Sequence, residues 1–312
     1  MPKGNILVTG GAGFVGSHLV DRLIKEGHKI VVVDNLSTGK KENLNKRAKF
    51  YKVDICSPKI SEIFKKEKPD IVFHLAAQID VRKSVENPVK DAKINILGSL
   101  NILENCRKFG TKKFIFASSG GAIYGETNLI PTPETHPARP ESPYGLAKLL
   151  IEQYLEFYKK NYGLDYVSLR YSNIYGPRQN SKAEAGVIAI FVDKLLNDKT
   201  PTIFGDGSQT RDYLYVEDAV EAALICTGLT RANLIPIFNI GTGKETSVNE
   251  IYSLISKMIG KNIKPIFAQA KAGDLKRSCL DSSKIKKEMG WQPKYDLKEG
   301  LKKTIEWFKS SK

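Results

Sequence analysis

NILVTGGAGFVG, residues 5–16, runs a short apolar segment straight into glycines at positions 10, 13 and 16. A buried strand that ends on a glycine, turns and enters a helix is how a βαβ unit of a parallel sheet begins. Gly10 lets the strand turn. Gly13 leaves no side chain between the backbone and an anionic group, and Gly16 lets the helix lie close against the strand. The N-terminus of that helix offers N–H groups and the positive end of a dipole to phosphates. GxxGxxG is a variant of the dinucleotide fingerprint, and it carries weight only with a strand before it, a helix after it and an acid at the end of the next strand.

Working outward, that acid is Asp34, which closes the run KIVVV (Lys29–Val33) 18 residues past Gly16. Its carboxylate can accept from adenosine ribose hydroxyls and would repel a 2′-phosphate, so NAD is expected over NADP; the nearby Lys40 and Lys41 pull the other way. Further strands are read at Ile71–His74, Lys113–Ala117 and Asp165–Arg170, with helices at Val15–Glu26, Ile96–Phe109 and Tyr144–Tyr162. Such alternation predicts an α/β fold, a doubly wound parallel Rossmann sheet with helices on both faces. Ligands gather beyond strand ends in such sheets, which singles out Asp54-Ile55 after the third strand region and Leu75-Ala76-Ala77 after the fourth. After about Asn173 the loops lengthen and carry Gly and Pro, as in GPRQ (Gly176–Gln179) and FGDGSQTRDY (Phe204–Tyr213). The expected division is an NAD-binding domain over 1–173, with a return to its sheet near 214–242, and a smaller interleaved substrate domain mainly within 174–312.

The composition narrows the function classes. Of the 312 residues, 41% are hydrophobic and 27% charged, as in ordinary globular proteins. No run is apolar and long enough to cross a bilayer and no secretory pattern opens the chain, so the cytoplasm is the expected compartment and no membrane partner is expected. Cys56, Cys106, Cys226 and Cys279 form no CxxC pair, which argues against zinc or a disulfide framework; no metal is expected. The formal net charge is +15, but the excess is Lys spread along helices (Lys159-Lys160, Lys286-Lys287, Lys302-Lys303), not an Arg-rich stretch with aromatics. A solvated basic surface that attracts an anionic small molecule is therefore expected, not a nucleic-acid partner.

The chemistry is concentrated in two places. Ser118 and Ser119 follow the strand KFIFA, and Tyr144 and Lys148 lie one helical turn apart in SPYGLAKLLIEQY. Positions i and i+4 share a helix face, so phenol and ammonium can enter one cleft. A free phenol is a poor base at neutral pH, with a pKa of about 10. A nearby cation lowers that value; Lys148 is one candidate, and an oxidised nicotinamide another. A strand-end Ser can hydrogen-bond the same substrate oxygen. YxxxK alone is common by chance, and it is the glycine fingerprint and the Ser pair that give it meaning.

TGGAGFVGS, DNLSTG, HLAAQ, SSGGAIYGE, SPYGLAK, RYSNIYGPRQ, FGDGSQTRDYLYVEDA and AGDLKRS together resemble the extended short-chain dehydrogenase/reductase family, and within it the NAD-dependent UDP-glucose 4-epimerase group. The resemblance runs from about residue 4 to 308. It implies that Gly10, Gly13, Phe14, Val15, Gly16, Asp34, Asn35, Asp54, Ile55, Leu75, Ala76, Ala77 and Asn95 hold NAD. It implies that Tyr144 is the base, that Lys148 binds the nicotinamide ribose while tuning Tyr144, and that Ser119 fills the family's Ser/Thr position. Asn173, Arg211 and Asp274 would bind the nucleotide diphosphate and uridine ribose, Arg211 through its planar two-pronged fork. Ser278 stands where a bulky Tyr excludes N-acetylated sugars in some epimerases, so acetylated hexosamines are also expected as substrates.

Two departures bear on the chemistry. Lys271-Ala272-Gly273-Asp274 replaces the family's Arg-Pro-Gly-Asp/Glu, which loses a bidentate phosphate ligand unless Arg277 substitutes. Gly120-Gly121 stands where related 4,6-dehydratases carry an Asp-Glu pair and a decarboxylase a Glu, and no acid or base can be made from glycine; Glu126 reads as a loop residue. The expectation is C4 epimerisation of a UDP-hexose. The alternatives are another nucleotide-sugar reaction of the family, or NAD binding without turnover, against which the intact Ser119, Tyr144 and Lys148 argue. By resemblance, the helices near 95–109 and 144–162 form a homodimer interface.

Overall fold

Seven parallel strands form one sheet in a computed structural model that describes residues 4–182, 186–228, 235–270 and 275–311. The strands are β1 (Asn5–Thr9), β2 (Lys29–Asp34), β3 (Lys49–Lys52), β4 (Ile71–His74), β5 (Lys113–Ser119), β6 (Asp165–Tyr171) and Ile237–Ile240. Their order is β3-β2-β1-β4-β5-β6-(Ile237–Ile240). The register pairs Thr9 with Val33 on one side and His74 on the other. The chain winds outward in opposite directions from β1 and β4, which leaves a crevice at their C-terminal ends.

All but the edge strand β3 are largely buried on both faces, which is why the sequence reads there as continuous apolar runs. On β1, Ile6 and Val8 join one core with Leu19, Leu23 and Val220, while Leu7 joins the other with Phe64, Ile102 and Leu155. Burying each such side chain contributes about 2 kcal/mol. A third core lies away from the sheet, where helices Val187–Leu196, Val248–Ile259 and Leu297–Ser310 meet around Phe191, Leu195, Ile251 and Leu301. Beside it are small sheets: Asn173–Tyr175 runs parallel to Tyr213–Tyr215, and Thr210–Arg211 sits between Thr246–Ser247 and Arg277–Ser278.

One helix departs from its sequence expectation. The segment expected to be helical from Ile96 begins at Pro88 and reaches Phe109, with a π-helical stretch over Lys93–Gly98. Asn87 caps it by accepting from the Lys90 N–H at 2.9 Å, and Pro88 supplies a first residue with preset φ. The polar run PVKDAK has no apolar period, so hydrophobic spacing alone misses this start.

Candidate active site

The glycines meet the geometric demands of a phosphate cradle. Gly10 has φ of +70°, and a Cβ there would lie 2.8 Å from the Ala76 nitrogen. A Cβ on Gly16 would come within 2.2 Å of the Gly10 carbonyl oxygen, so the helix could not sit where it does. A Cβ on Gly13 would touch only that same oxygen, at 3.2 Å, and would otherwise stand in the mouth of the cradle. Gly13 is the N-cap of the Phe14–Lys25 helix and no side chain caps it, so the first N–H groups, those of Phe14 and Val15 included, face the cradle unblocked.

The rim residues are tied together. Asp34 Oδ2 accepts from the Ala12 N–H at 3.0 Å and Oδ1 from the Leu36 N–H at 2.8 Å, which fixes the carboxylate at the end of β2. Asn35 Nδ2 donates to Asp54 Oδ2 at 2.7 Å. Burial works against ionising Asp54, but the Cys56 N–H and the Asn35 amide outweigh it and hold its carboxyl below the usual range. Ile55 is buried behind this pair. The N–H groups of Leu75 and Ala76 bond back to Thr9, and the chain continues through Ala77 without regular structure. Asn95 does not point freely at the crevice. Its Oδ1 accepts from the Gln78 N–H at 2.9 Å and its Nδ2 donates to the Gln78 carbonyl at 2.9 Å, so it braces the loop that follows β4. The π turn places it there, a frequent use of such turns at functional sites. The open glycine cradle, the fixed Asp34 carboxylate and the small Ala76-Ala77 rim fit a dinucleotide.

Tyr144 and Lys148 stand on the Pro143–Tyr162 helix, whose N-cap Ser142 accepts from the Gly145 N–H at 3.1 Å. A Cβ on Gly145 would lie 2.3 Å from the Ala122 carbonyl oxygen, so only glycine lets this helix press onto the turn after β5. That turn carries the Ser pair, and the structure separates its members. Ser118 points away into the core and donates to Glu152 at 2.7 Å, whereas Ser119 faces the Tyr144 phenol. Lys148 is buried; its Nζ donates to the Ala117 carbonyl at 2.7 Å and lies 4.7 Å above the Phe116 ring.

Here the expected electrostatics need correction. Lys148 does not by itself make the phenol acidic. Burial pushes the Tyr144 hydroxyl up to about 12, with Ser119 acting downward and Asp91 upward. Burial likewise brings the Lys148 ammonium down to about 8, against the opposing charges of Asp91 and Glu152. Desolvation disfavours both charged forms at once, so the phenolate needs a positive charge beyond that of Lys148.

Three of the residues expected to hold the nucleotide sugar, Asn173, Arg211 and Ser278, lie around one carboxylate. Asp212, fully buried, accepts from the Thr242 N–H and hydroxyl at 2.9 and 2.6 Å, from the Gly243 N–H at 3.2 Å and from the Leu280 N–H at 3.3 Å. It thereby draws three loops together and sets Arg211 in register with Ser278. Asn173, in register with Tyr213, has Oδ1 3.9 Å from the point where a Gly121 Cβ would stand, and Ser278 Oγ is 3.7 Å from the same point. Asp274 and Lys271 lie outside the described residues. Arg277 is committed to Glu245, with Nε 2.9 Å from Oε1, and so is paired within the protein. Among the described residues no cluster of His, Cys, Asp and Glu could hold a metal, and no helix is long and apolar enough to cross a membrane.

Three features were not singled out from the sequence: Asp212, the buried Glu152–Arg170 pair and Asp91. Asp212 directly follows Arg211 in TRDYLYVED, but a sequence shows no difference between a solvated acid and one that staples three loops. Its binding partners are 30 and 68 positions away.

A dinucleotide cradle at the switch point, with Ser, Tyr and Lys gathered beside it, defines a dehydrogenase-like site on a Rossmann sheet. The chain belongs to the NAD-dependent epimerase/dehydratase family, whose model matches residues 6–241. It is 50% identical to the UDP-glucose 4-epimerase of Thermotoga maritima, solved with UDP-glucose, with a TM-score of 0.96 over 98% of this chain and 99% of that one. The Thermus thermophilus UDP-glucose 4-epimerase complex with NAD is 42% identical, with a TM-score of 0.93 over 99% of this chain and 100% of that one. A UDP-N-acetylglucosamine 4-epimerase from Methanobrevibacter ruminantium, in complex with UDP-N-acetylmuramic acid, is 36% identical, with a TM-score of 0.93 over 100% of both chains.

Proposed function

We propose that this chain is an NAD-dependent 4-epimerase of UDP-hexoses, interconverting UDP-glucose and UDP-galactose through a transient 4-keto sugar. The observation that carries the reading is the meeting of Ser119, Tyr144 and Lys148 at the rim of the glycine cradle, with Gly120-Gly121 in place of any second acid or base. Bound NAD would take up and give back the C4 hydrogen with its electron pair, and its oxidised ring would add the positive charge that the phenol requires. Gly10, Gly13 and Gly16 would admit its pyrophosphate, Asp34 would accept from its adenosine ribose, and Lys148 would hold the other ribose. Tyr144 takes the proton of the C4 hydroxyl and returns it, while the Ser119 hydroxyl orients that oxygen. Asn173, Arg211, Asp274 and Ser278 hold the nucleotide end, so the keto sugar can turn about its diphosphate link and present its other face.

The same reading divides the chain into an NAD-binding part over 1–173, with a return near 214–242, and a nucleotide-sugar part mainly within 174–312. The pairing of Ile237–Ile240 with β6 supports it. A homodimer belongs to it too. Leu146, Leu150 and Phe157 form an exposed apolar stripe on one face of the Pro143–Tyr162 helix, and Leu97 is exposed on the segment before Ser99. Two copies packed helix to helix would cover these surfaces.

The direct test incubates purified protein with UDP-galactose, without added NAD, and separates the products by chromatography. Appearance of UDP-glucose supports the reading; unchanged UDP-galactose with NAD bound would move the protein to the class of NAD binders without turnover. The specificity reading rests on Ser278, whose small side chain borders the space beside Gly121. Ser278→Tyr is expected to lower the ratio of UDP-N-acetylgalactosamine to UDP-galactose turnover by about tenfold or more, the usual scale for steric exclusion. An unchanged ratio would remove Ser278 from the selection.

A further inference from the structure

Asp91 is a carboxylate buried beside the Tyr144–Lys148 pair, with one oxygen unused. It stands on the Pro88–Ala92 helix, which packs directly on the Pro143–Tyr162 helix, and it is 1% exposed. Its Oδ1 accepts from Gln78 Nε2 at 2.9 Å and from Asn95 Nδ2 at 2.8 Å, while Oδ2 has no partner among the described residues. Both donors are neutral amides, so the hydrogen bonds leave the charge itself uncompensated. Burial accordingly raises the proton affinity of this carboxyl, and the two amides and the Lys148 ammonium act against that rise.

The groups facing Lys148 can be taken element by element. Its own helix presents Tyr144 one turn before it and Glu152 one turn after it. From β5 come the Ala117 carbonyl and the Phe116 ring. From β4 comes His74, locked between Thr9 Oγ1 at 2.8 Å and Ser99 Oγ at 2.9 Å, and burial holds its imidazole neutral, at about 3. The charge of Glu152 is already matched by Arg170, 2.6 Å away. Among the described residues this leaves Asp91 as the acid facing Lys148 whose charge no cation pairs within ion-pair distance.

We propose that Asp91 is a positioning residue for the C4 chemistry: its buried carboxylate is the counter-charge that keeps the Lys148 ammonium protonated, and through that pair it sets the pH range in which Tyr144 works. This rests on the epimerase reading of the site given above. The sign is fixed by Coulomb's law. Removing a negative charge lowers the proton affinity of every neighbour, so Lys148 then loses its proton at a lower pH. A role confined to holding Gln78 and Asn95 would instead change the rate by one factor at every pH.

Asp91→Asn keeps the shape and an acceptor for the two amides and deletes the charge; Asp91→Glu keeps the charge. Two readouts are taken on the NAD-loaded protein: the pH profile of kcat for UDP-galactose, and the Cε resonances of 13C-labelled lysine, with Lys148 assigned by its loss in Lys148→Met. In the parent, the Lys148 resonance is expected to change near pH 8, well below the surface lysines. In Asp91→Asn both that midpoint and the alkaline limb of kcat are expected to move to lower pH by about one unit. In Asp91→Glu both are expected to stay with the parent, even if the rate falls. Coincidence of Asp91→Asn with the parent in both readouts overturns the inference, and so does an equal acid shift in Asp91→Glu, which is decisive alone if Asp91→Asn does not fold. A parent that shows the resonance shift but turns over no nucleotide sugar would refute the epimerase reading and leave the charge coupling standing.

Discussion

Tyr144→Phe is expected to lower kcat for UDP-galactose by about three to four orders of magnitude, with NAD still bound and KM little changed. The change removes one oxygen from a ring that the surrounding helix and strand already hold. Among the described residues that oxygen makes no hydrogen bond beyond its contact with Ser119, so little of the fold depends on it. On the epimerase reading, what disappears is the group that would take and return the C4 proton, and among the described residues no nearby side chain replaces it. Lys148 has its ammonium fixed on the Ala117 carbonyl, Ser118 is spent on Glu152, and the positions after Ser119 are glycines. The parent's dependence on pH should follow the same logic. A phenol that burial pushes to about 12 works at neutral pH only when positive charge gathers beside it. Conversion retained in Tyr144→Phe would take this residue out of the mechanism; loss of NAD along with activity would make it a cofactor ligand first.

The parts of this site that could be read in the sequence are those with local physical causes. β1 and β4 fall where the apolar runs place them, because Ile6–Val8 and Val72–Phe73 are buried on both faces of the sheet and leave an unbroken apolar stretch. Gly10, Gly13 and Gly16 could be read because each answers a local steric demand, and Tyr144 with Lys148 because a helix fixes what lies one turn away. What escaped was set by distant partners. The helical start at Pro88 has no hydrophobic period to announce it. Ser118 and Ser119 look equivalent until Glu152 claims the first. The bracing of Gln78 by Asn95, which reads as a cofactor ligand by resemblance, is another such contact. Spacing offers Lys148, beside an oxidised nicotinamide, as a cation to acidify Tyr144, but spacing says nothing about burial, and here burial outweighs the proximity of Lys148 for both groups. Asp91 and Glu152 look like residues of solvated helix faces and are instead among the least exposed acids of the described residues.

Glu152→Ala is expected to destabilise the protein by about 3–5 kcal/mol, the scale for breaking a buried ion pair from one side. Both side chains are nearly inaccessible, Glu152 at 2% and Arg170 at 7%. Glu152 Oε2 accepts from Arg170 Nη2 at 2.6 Å, and Oε1 accepts from Ser118 at 2.7 Å and Ser168 at 2.9 Å. Deleting the carboxylate therefore strands a guanidinium and two hydroxyls in the layer between β5, β6 and the Pro143–Tyr162 helix. Among the described residues Arg170 then retains only the Tyr124 hydroxyl, 2.8 Å from Nη1, which is no counter-charge. In thermal unfolding the loss should be on the order of 10 °C. Arg22→Ala is the control: it removes pairs with Glu26 and Glu221 whose shared arginine is 44% exposed, and is expected to cost no more than about 1 kcal/mol. The pair need not be stabilising in itself. Replacing both partners with apolar residues, as in Glu152→Leu with Arg170→Met, should recover much of the stability because no charge is then left alone. A Glu152→Ala protein that melts with the parent would mean that Arg170 finds water or another acid on its own, and that this layer is looser than its hydrogen bonds imply.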